Sequence, residues 1–134
     1  MRPTPRHLLI GLAAAFAIGV ACSEPTAPPR AVPGTLELSL ASPNADDRAL
    51  LAKVVLPRGV TVTAVTAGAG LELFHRVTAD TVRLALFGDL ASGVVARLEV
   101  SDAAAAVQAQ VLEVSGPDDR LREALGGYAL TVRR

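Results

Sequence analysis

From Gly34 onward, apolar and polar residues alternate with a period of two in a series of short runs. Leu36, Leu38 and Leu40 alternate with Thr35, Glu37 and Ser39, and Ala52, Val54 and Leu56 alternate with Lys53 and Val55 until Pro57 stops the run. The same pattern returns at Val60 and Val62, at Leu71 and Leu73, and at Val82, Leu84 and Leu86. It continues at Val94, Ala96, Leu98 and Val100, at Val107, Ala109 and Val111, and at Leu130 and Val132. Side chains on a strand point alternately to its two faces, so each run predicts a strand with one buried face and one mixed face. The punctuation agrees: Ser42-Pro43-Asn44, Pro57-Arg58-Gly59, Gly68-Ala69-Gly70, Gly88-Asp89, Ser92-Gly93 and Gly126-Gly127 are turn-forming clusters. About eight strands separated by turns predict an all-β fold, a single antiparallel β-sandwich over residues 35–134. A parallel sheet would need long helical crossovers, and the chain between the runs is too short for them.

One segment departs from the alternation. Pro117, the acidic pair Asp118-Asp119 and the terminating Gly126-Gly127 are helix boundary signals, and they predict a short helix near 117–125. Leu121, Ala124 and Leu125 would form its buried face. Asp102 to Ala106 is too short a run to assign.

The residues before the first strand follow a different logic. Arg2 and Arg6 precede an apolar stretch from Leu8 to Ala21, after which stands Cys22, the only cysteine of the chain. A basic region, an apolar region and small residues before a cut site are the parts of an export signal. At about 14 residues the apolar stretch is shorter than the ~20 that span a hydrocarbon core. Gly19-Val20-Ala21-Cys22 resembles the lipobox of bacterial lipoproteins, with Gly19 where that family usually has leucine. The resemblance implies a signal peptide over 1–21 that is cut before Cys22, and a lipidated Cys22 that anchors the protein in the membrane of a bacterial cell envelope. Ser23, in place of aspartate, implies the outer membrane. Pro25, Pro28, Pro29 and Pro33 make residues 22–34 a Pro-rich tether. At ~3.1 Å per residue it is long enough to let a domain stand about 30 Å from the lipid.

Residues 35–132 resemble, as a pattern of strands and turns, the cohesin-like, jelly-roll-like sandwiches of the carbohydrate-binding-module superfamily. The portions that carry the likeness are Gly59 to Thr66, Thr81 to Gly88 and Ser92 to Val100. The resemblance implies an extracellular binding or scaffolding role and transfers no individual binding residue.

Composition narrows the chemistry. The chain has 13 basic and 13 acidic side chains; losing Arg2 and Arg6 with the signal leaves 11 against 13, a formal charge of −2. The charges occur singly along the runs, so no basic stripe suggests nucleic acid. After the signal there is one histidine, His75, and one lysine, Lys53. A serine hydrolase needs a base beside its nucleophile and a zinc site needs several soft ligands, so His75 alone points to neither. We therefore expect no enzymatic activity and no cofactor. Asn44, Asp46 and Asp47 are weak candidates for the oxygen ligands of a cation, against the plainer reading of a polar turn. Phe74, Phe87 and Tyr128, the only aromatic residues after the signal, are weak candidates for a ligand-binding patch. The expected function is a monomeric, lipid-anchored binding module for an envelope protein or polysaccharide. The alternatives are a small envelope glycan hydrolase and a purely structural lipoprotein.

Overall fold

The computed structural model describes residues 26–134. The expected signal peptide over 1–21, Cys22 and residues 23–25 of the expected tether lie outside the described residues. Residues 26–33 form no strand or helix and are exposed. Eight strands follow: β1 (Gly34–Ala41), β2 (Asp47–Val55), β3 (Val62–Ala67), β4 (Glu72–Thr78), β5 (Thr81–Leu90), β6 (Gly93–Val100), β7 (Gln108–Ser115) and β8 (Ala129–Arg133). They form two four-stranded sheets, β3-β6-β1-β8 and β4-β5-β2-β7, in which every neighbouring pair is antiparallel. Among the described residues no helix is long and apolar enough to cross a membrane.

Alternation explains the layering. Leu36, Leu38 and Leu40 of β1, Leu50, Ala52 and Val54 of β2, Val82, Leu84 and Leu86 of β5, and Leu98 and Val100 of β6 are all buried between the sheets. Burying a leucine or valine fully contributes ~1.5–3 kcal/mol, so these four strands carry most of the fold's hydrophobic stabilisation. Only β4 and β5 form a simple hairpin; every other connection crosses from one sheet to the other. Each strand of the first half pairs with its counterpart in the second, β1 with β8, β2 with β7, β3 with β6 and β4 with β5. That nesting is a long hairpin rolled across two layers, and the pairs β1–β6 and β2–β5 join its halves.

Two local features tune the sheets. Gly68 N–H donates to the Val95 carbonyl at 2.7 Å, and a Cβ on Gly68 would lie 2.5 Å from the Val94 carbonyl oxygen. Only glycine lets the two backbones approach so closely. Between β2 and β5 the register slips between Asp47 and Ala49, opposite Gly88, whose φ is 135°. Alternation counted back from Leu50 would place Asp47 outside; the slip turns it inward, and Asp47 is fully buried.

The helix expected near 117–125 does not form. The chain turns at Asp119, whose φ of 59° is left-handed, and doubles back. Gly116 N–H donates to the Arg120 carbonyl, Arg122 N–H donates to the Val114 carbonyl, and Leu121 bridges to Ser115 as a short extra strand contact. Leu121 is exposed, Ala124 is exposed and Leu125 half-buried, so no apolar helical face exists. The cause lies in Arg122, which is held by two aspartates far away in the sequence.

Candidate functional site

Two places in the domain bring chemically distinctive residues together. The first surrounds Asp47, the only fully buried charged side chain described. Its Oδ2 accepts hydrogen bonds from Ser42 Oγ at 2.7 Å and from the Tyr128 hydroxyl at 2.8 Å, and its Oδ1 accepts from Arg122 Nε at 2.9 Å. Asn44 Nδ2 donates to the Tyr128 hydroxyl at 2.7 Å, and Arg122 Nη2 donates to Asp46 Oδ1 at 2.6 Å. Burial alone would push the Asp47 carboxyl up, but the hydrogen bonds from Ser42, Tyr128 and Arg122 and the charge of Arg122 outweigh it and hold the carboxyl below its ordinary value. The hydrogen bond to Asp47, with the charges of Asp46 and Asp47, raises the Arg122 guanidinium in turn, against the cost of its partial desolvation. A buried carboxylate satisfied in this way ties together the β1–β2 turn, the 116–128 segment and the start of β8.

The cluster accounts for the candidates Asn44, Asp46 and Asp47. They surround Arg122 and Tyr128, and both Asp47 oxygens are committed to protein donors. Among the described residues no three His, Cys, Asp or Glu side chains gather as a metal site would require. Nothing near Asp47 in the sequence signals Arg122, which is 75 residues away.

The second place is the outer face of the β4-β5-β2-β7 sheet. Phe74 of β4 and Phe87 of β5 point outward, 65 % and 44 % exposed, with ring centroids 6.0 Å apart in an edge-to-face arrangement. Beside Phe87 lies a shallow cavity of about 250 Å³, floored by Ala49, Leu51 and Ala85 and closed on the far side by Leu121, itself 60 % exposed. The aromatic candidates therefore divide. Phe74 and Phe87 share a surface, whereas Tyr128 is half-buried against the core with its hydroxyl on Asp47. Leu121 joins the patch because the 116–122 segment turns back, whereas the expected helix would have placed it on a buried face.

His75 is exposed on the edge strand β4, directly opposite Leu84 of β5. Lys53, also on this outer face, lies opposite Arg83, which lies opposite Arg76. The cations that appear singly in the sequence are thus gathered by strand pairing.

Compared with family models, with curated proteins and with solved structures, the chain gives no match.

Proposed function

We propose that this protein is a lipid-anchored, non-catalytic binding module of a bacterial cell envelope, held in the outer membrane through Cys22. Its contact surface is the apolar area formed by Phe74, Phe87 and Leu121, and its partner is another envelope protein. The observation that carries the reading is the exposure of Phe87 and Leu121 on one concavity, with the exposed Phe74 packed edge-to-face against Phe87, on an otherwise alternating sheet face. Outward positions on a solvated sheet are ordinarily polar, and a contiguous apolar patch rimmed by polar groups marks a docking surface. The cavity walls are mostly aliphatic, which suits an apolar side chain of a protein better than a sugar ring. Glu113, at its edge, and the nearby Glu72 supply a polar rim.

Glycan hydrolysis would call for two carboxyls facing each other across a cleft. Asp46 and Asp47, adjacent in the sequence, both face Arg122. That arrangement supports binding over catalysis.

The test places a photo-activatable phenylalanine at Phe74 and, as a control, at Arg97 on the outer face of the other sheet, in the full chain expressed in its host. Position 74 should crosslink to one discrete envelope protein, and Phe87→Ser together with Leu121→Ser should abolish the adduct. Identical patterns from positions 74 and 97 would refute the assignment of the face. Adducts only to further copies of this chain would replace the envelope partner with self-association.

A further inference from the structure

The outer face that carries the apolar patch also carries an unusual row of charge. Lys53 of β2 is paired with Arg83 of β5, and Arg83 with Arg76 of β4. Neighbouring strands are ~4.8 Å apart, so three cations stand in a line about 10 Å long across the sheet. Like charges directly opposite one another destabilise a sheet. Among the described residues no carboxylate pairs with any of the three; the ion pairs are Arg48–Asp89, Arg97–Glu37, Arg120–Asp118 and those of Arg122. The fold therefore holds three mutually repelling cations in register around a concavity whose one lining carboxylate, Asp80, forms no ion pair with them.

Their position along the strands supplies the second observation. Each lies two residues from the end of its strand: Lys53 before Val55, Arg83 after Thr81, Arg76 before Thr78. That end of the sandwich is also where the chain enters from the tether. Val32 N–H donates to Asp102 and the Val32 carbonyl accepts from Ala103 N–H, next to the pairing of Gly34 with Val100. Arg58 in the turn after β2, and Arg133 and Arg134 at the end of β8, lie toward the same end, with Asp80, Glu99 and Asp102 as its carboxylates beside the Arg97–Glu37 pair, whose Glu37 stands opposite Arg133. The opposite end carries Asp46, Asp47, Asp89, Asp118, Asp119 and Glu123 against Arg48, Arg120 and Arg122. The domain is thus electrically polarised, positive toward its tether and negative away from it.

We propose that the Lys53–Arg83–Arg76 row, extended by Arg58, docks on anionic phospholipid headgroups of the leaflet that holds the lipid anchor. The proposal rests on the anchor reading of Cys22. Charge complementarity and the coincidence of the cationic end with the tether single out a bilayer as the occupant. Exposed charges more than ~8 Å apart are screened at physiological salt, so a tethered domain gains orientation only when its basic surface touches the membrane. The acyl chains already supply attachment; the row supplies direction. With the tether end on the lipid, the cavity between Phe87 and Leu121, set in the far half of the same sheet, remains open to a partner.

The experiment uses the chain from Ser23, which contains every strand and every core residue from Leu36 to Leu130. It is sedimented with vesicles of phosphatidylcholine alone and of phosphatidylcholine with an equal part of phosphatidylglycerol. The chain should bind the anionic vesicles only and be released by high salt. A juxtamembrane cation is worth about fivefold in partitioning, so K53Q/R76Q/R83Q should bind on the order of a hundredfold more weakly. The triple variant should melt no lower than the parent, because it loses a repulsion and no ion pair. Equal binding to neutral vesicles, or unchanged binding by the triple variant, overturns the proposal. Binding to soluble alginate without binding to either vesicle overturns it in favour of an acidic polysaccharide. Palmitate labelling of the full chain in cells and of its Cys22→Ala variant separates the two readings. Vesicle binding without labelling removes the anchor and leaves the surface; labelling without vesicle binding removes the surface alone.

Discussion

Replacing Asp47 by asparagine tests the reasoning most sharply, because it exchanges one carboxylate oxygen for an NH2 group and changes almost no volume. Asp47 is fully buried and accepts from three donors, Ser42 Oγ, the Tyr128 hydroxyl and Arg122 Nε. An asparagine at the same place offers one acceptor oxygen and an amide that must itself donate. If the oxygen faces Arg122, the amide meets two hydroxyls. Ser42 can rotate to accept, but the Tyr128 hydroxyl already accepts from Asn44 Nδ2 at 2.7 Å. At least one donor is then stranded, and the bonds that remain lose their charge assistance. Hydrogen bonds to a charged group contribute ~1.5–3 kcal/mol each and the members of one network are not additive, so we expect Asp47→Asn to cost about 3 kcal/mol. Against a total of ~5–15 kcal/mol that loss is large, and it corresponds to a Tm lower by on the order of 15 °C for a domain of this size.

The same substitution has a pH signature. Asp47 titrates below its ordinary value of 3.8 in the folded protein. Its contribution is therefore complete above 3.8 and is lost as pH falls through the lower, folded value, where the folded carboxyl takes up its proton. The stability gap between the parent and Asp47→Asn should be full at neutral pH and should narrow only below 3.8. Urea unfolding of the chain from Ser23, followed by circular dichroism at several pH values, measures both quantities. A variant within about 0.5 kcal/mol of the parent at neutral pH, or a gap that does not narrow in acid, would refute the account of the buried network.

Two further substitutions test the layering. Leu84 is fully buried and Arg83, its neighbour, faces outward. Leu84→Asp should leave the domain unfolded by circular dichroism, because an unpaired buried charge costs several kcal/mol, while Arg83→Ala should change the unfolding midpoint by no more than ~0.5 kcal/mol. Equal damage from both would mean that burial is not one-sided. Gly68→Ala sets a methyl 2.5 Å from the Val94 carbonyl oxygen, a backbone atom that cannot swing away. It should lower stability by about 1–3 kcal/mol in the same urea assay, and an unchanged midpoint would show that β6 shifts freely where its register with β1 slips, between Leu38 and Ser39.

The strands were legible in the sequence because alternation is a local property. Leu36, Leu38 and Leu40, or Val82, Leu84 and Leu86, announce a buried face without reference to any other part of the chain, and the structure buries them all. Phe74 and Phe87 each stand one residue after an inward-facing leucine, Leu73 and Leu86, so the same alternation turns them outward, and both are exposed. The segment 117–125 shows where local signals fail. Pro117, Asp118, Asp119 and Gly126 meet the boundary conditions of a helix, yet the guanidinium of Arg122 gains more from Asp46 and Asp47 than a helix of two turns could offer.

What only the tertiary structure decided is register, and register is a relation between residues distant in the chain. A slip opposite Gly88 turns Asp47 inward, against the alternation of its own strand, and places it at the centre of the buried network. Pairing of β2 with β5 and of β5 with β4 brings Lys53, Arg83 and Arg76 into one row, although the sequence separates them by tens of residues or by a turn. The sequence by itself determined which faces are apolar, since the period of two is written into each run. Which charges meet, which aspartate is buried and which leucine stays exposed depended on how the runs align, because contacts across strands follow from pairing and not from composition.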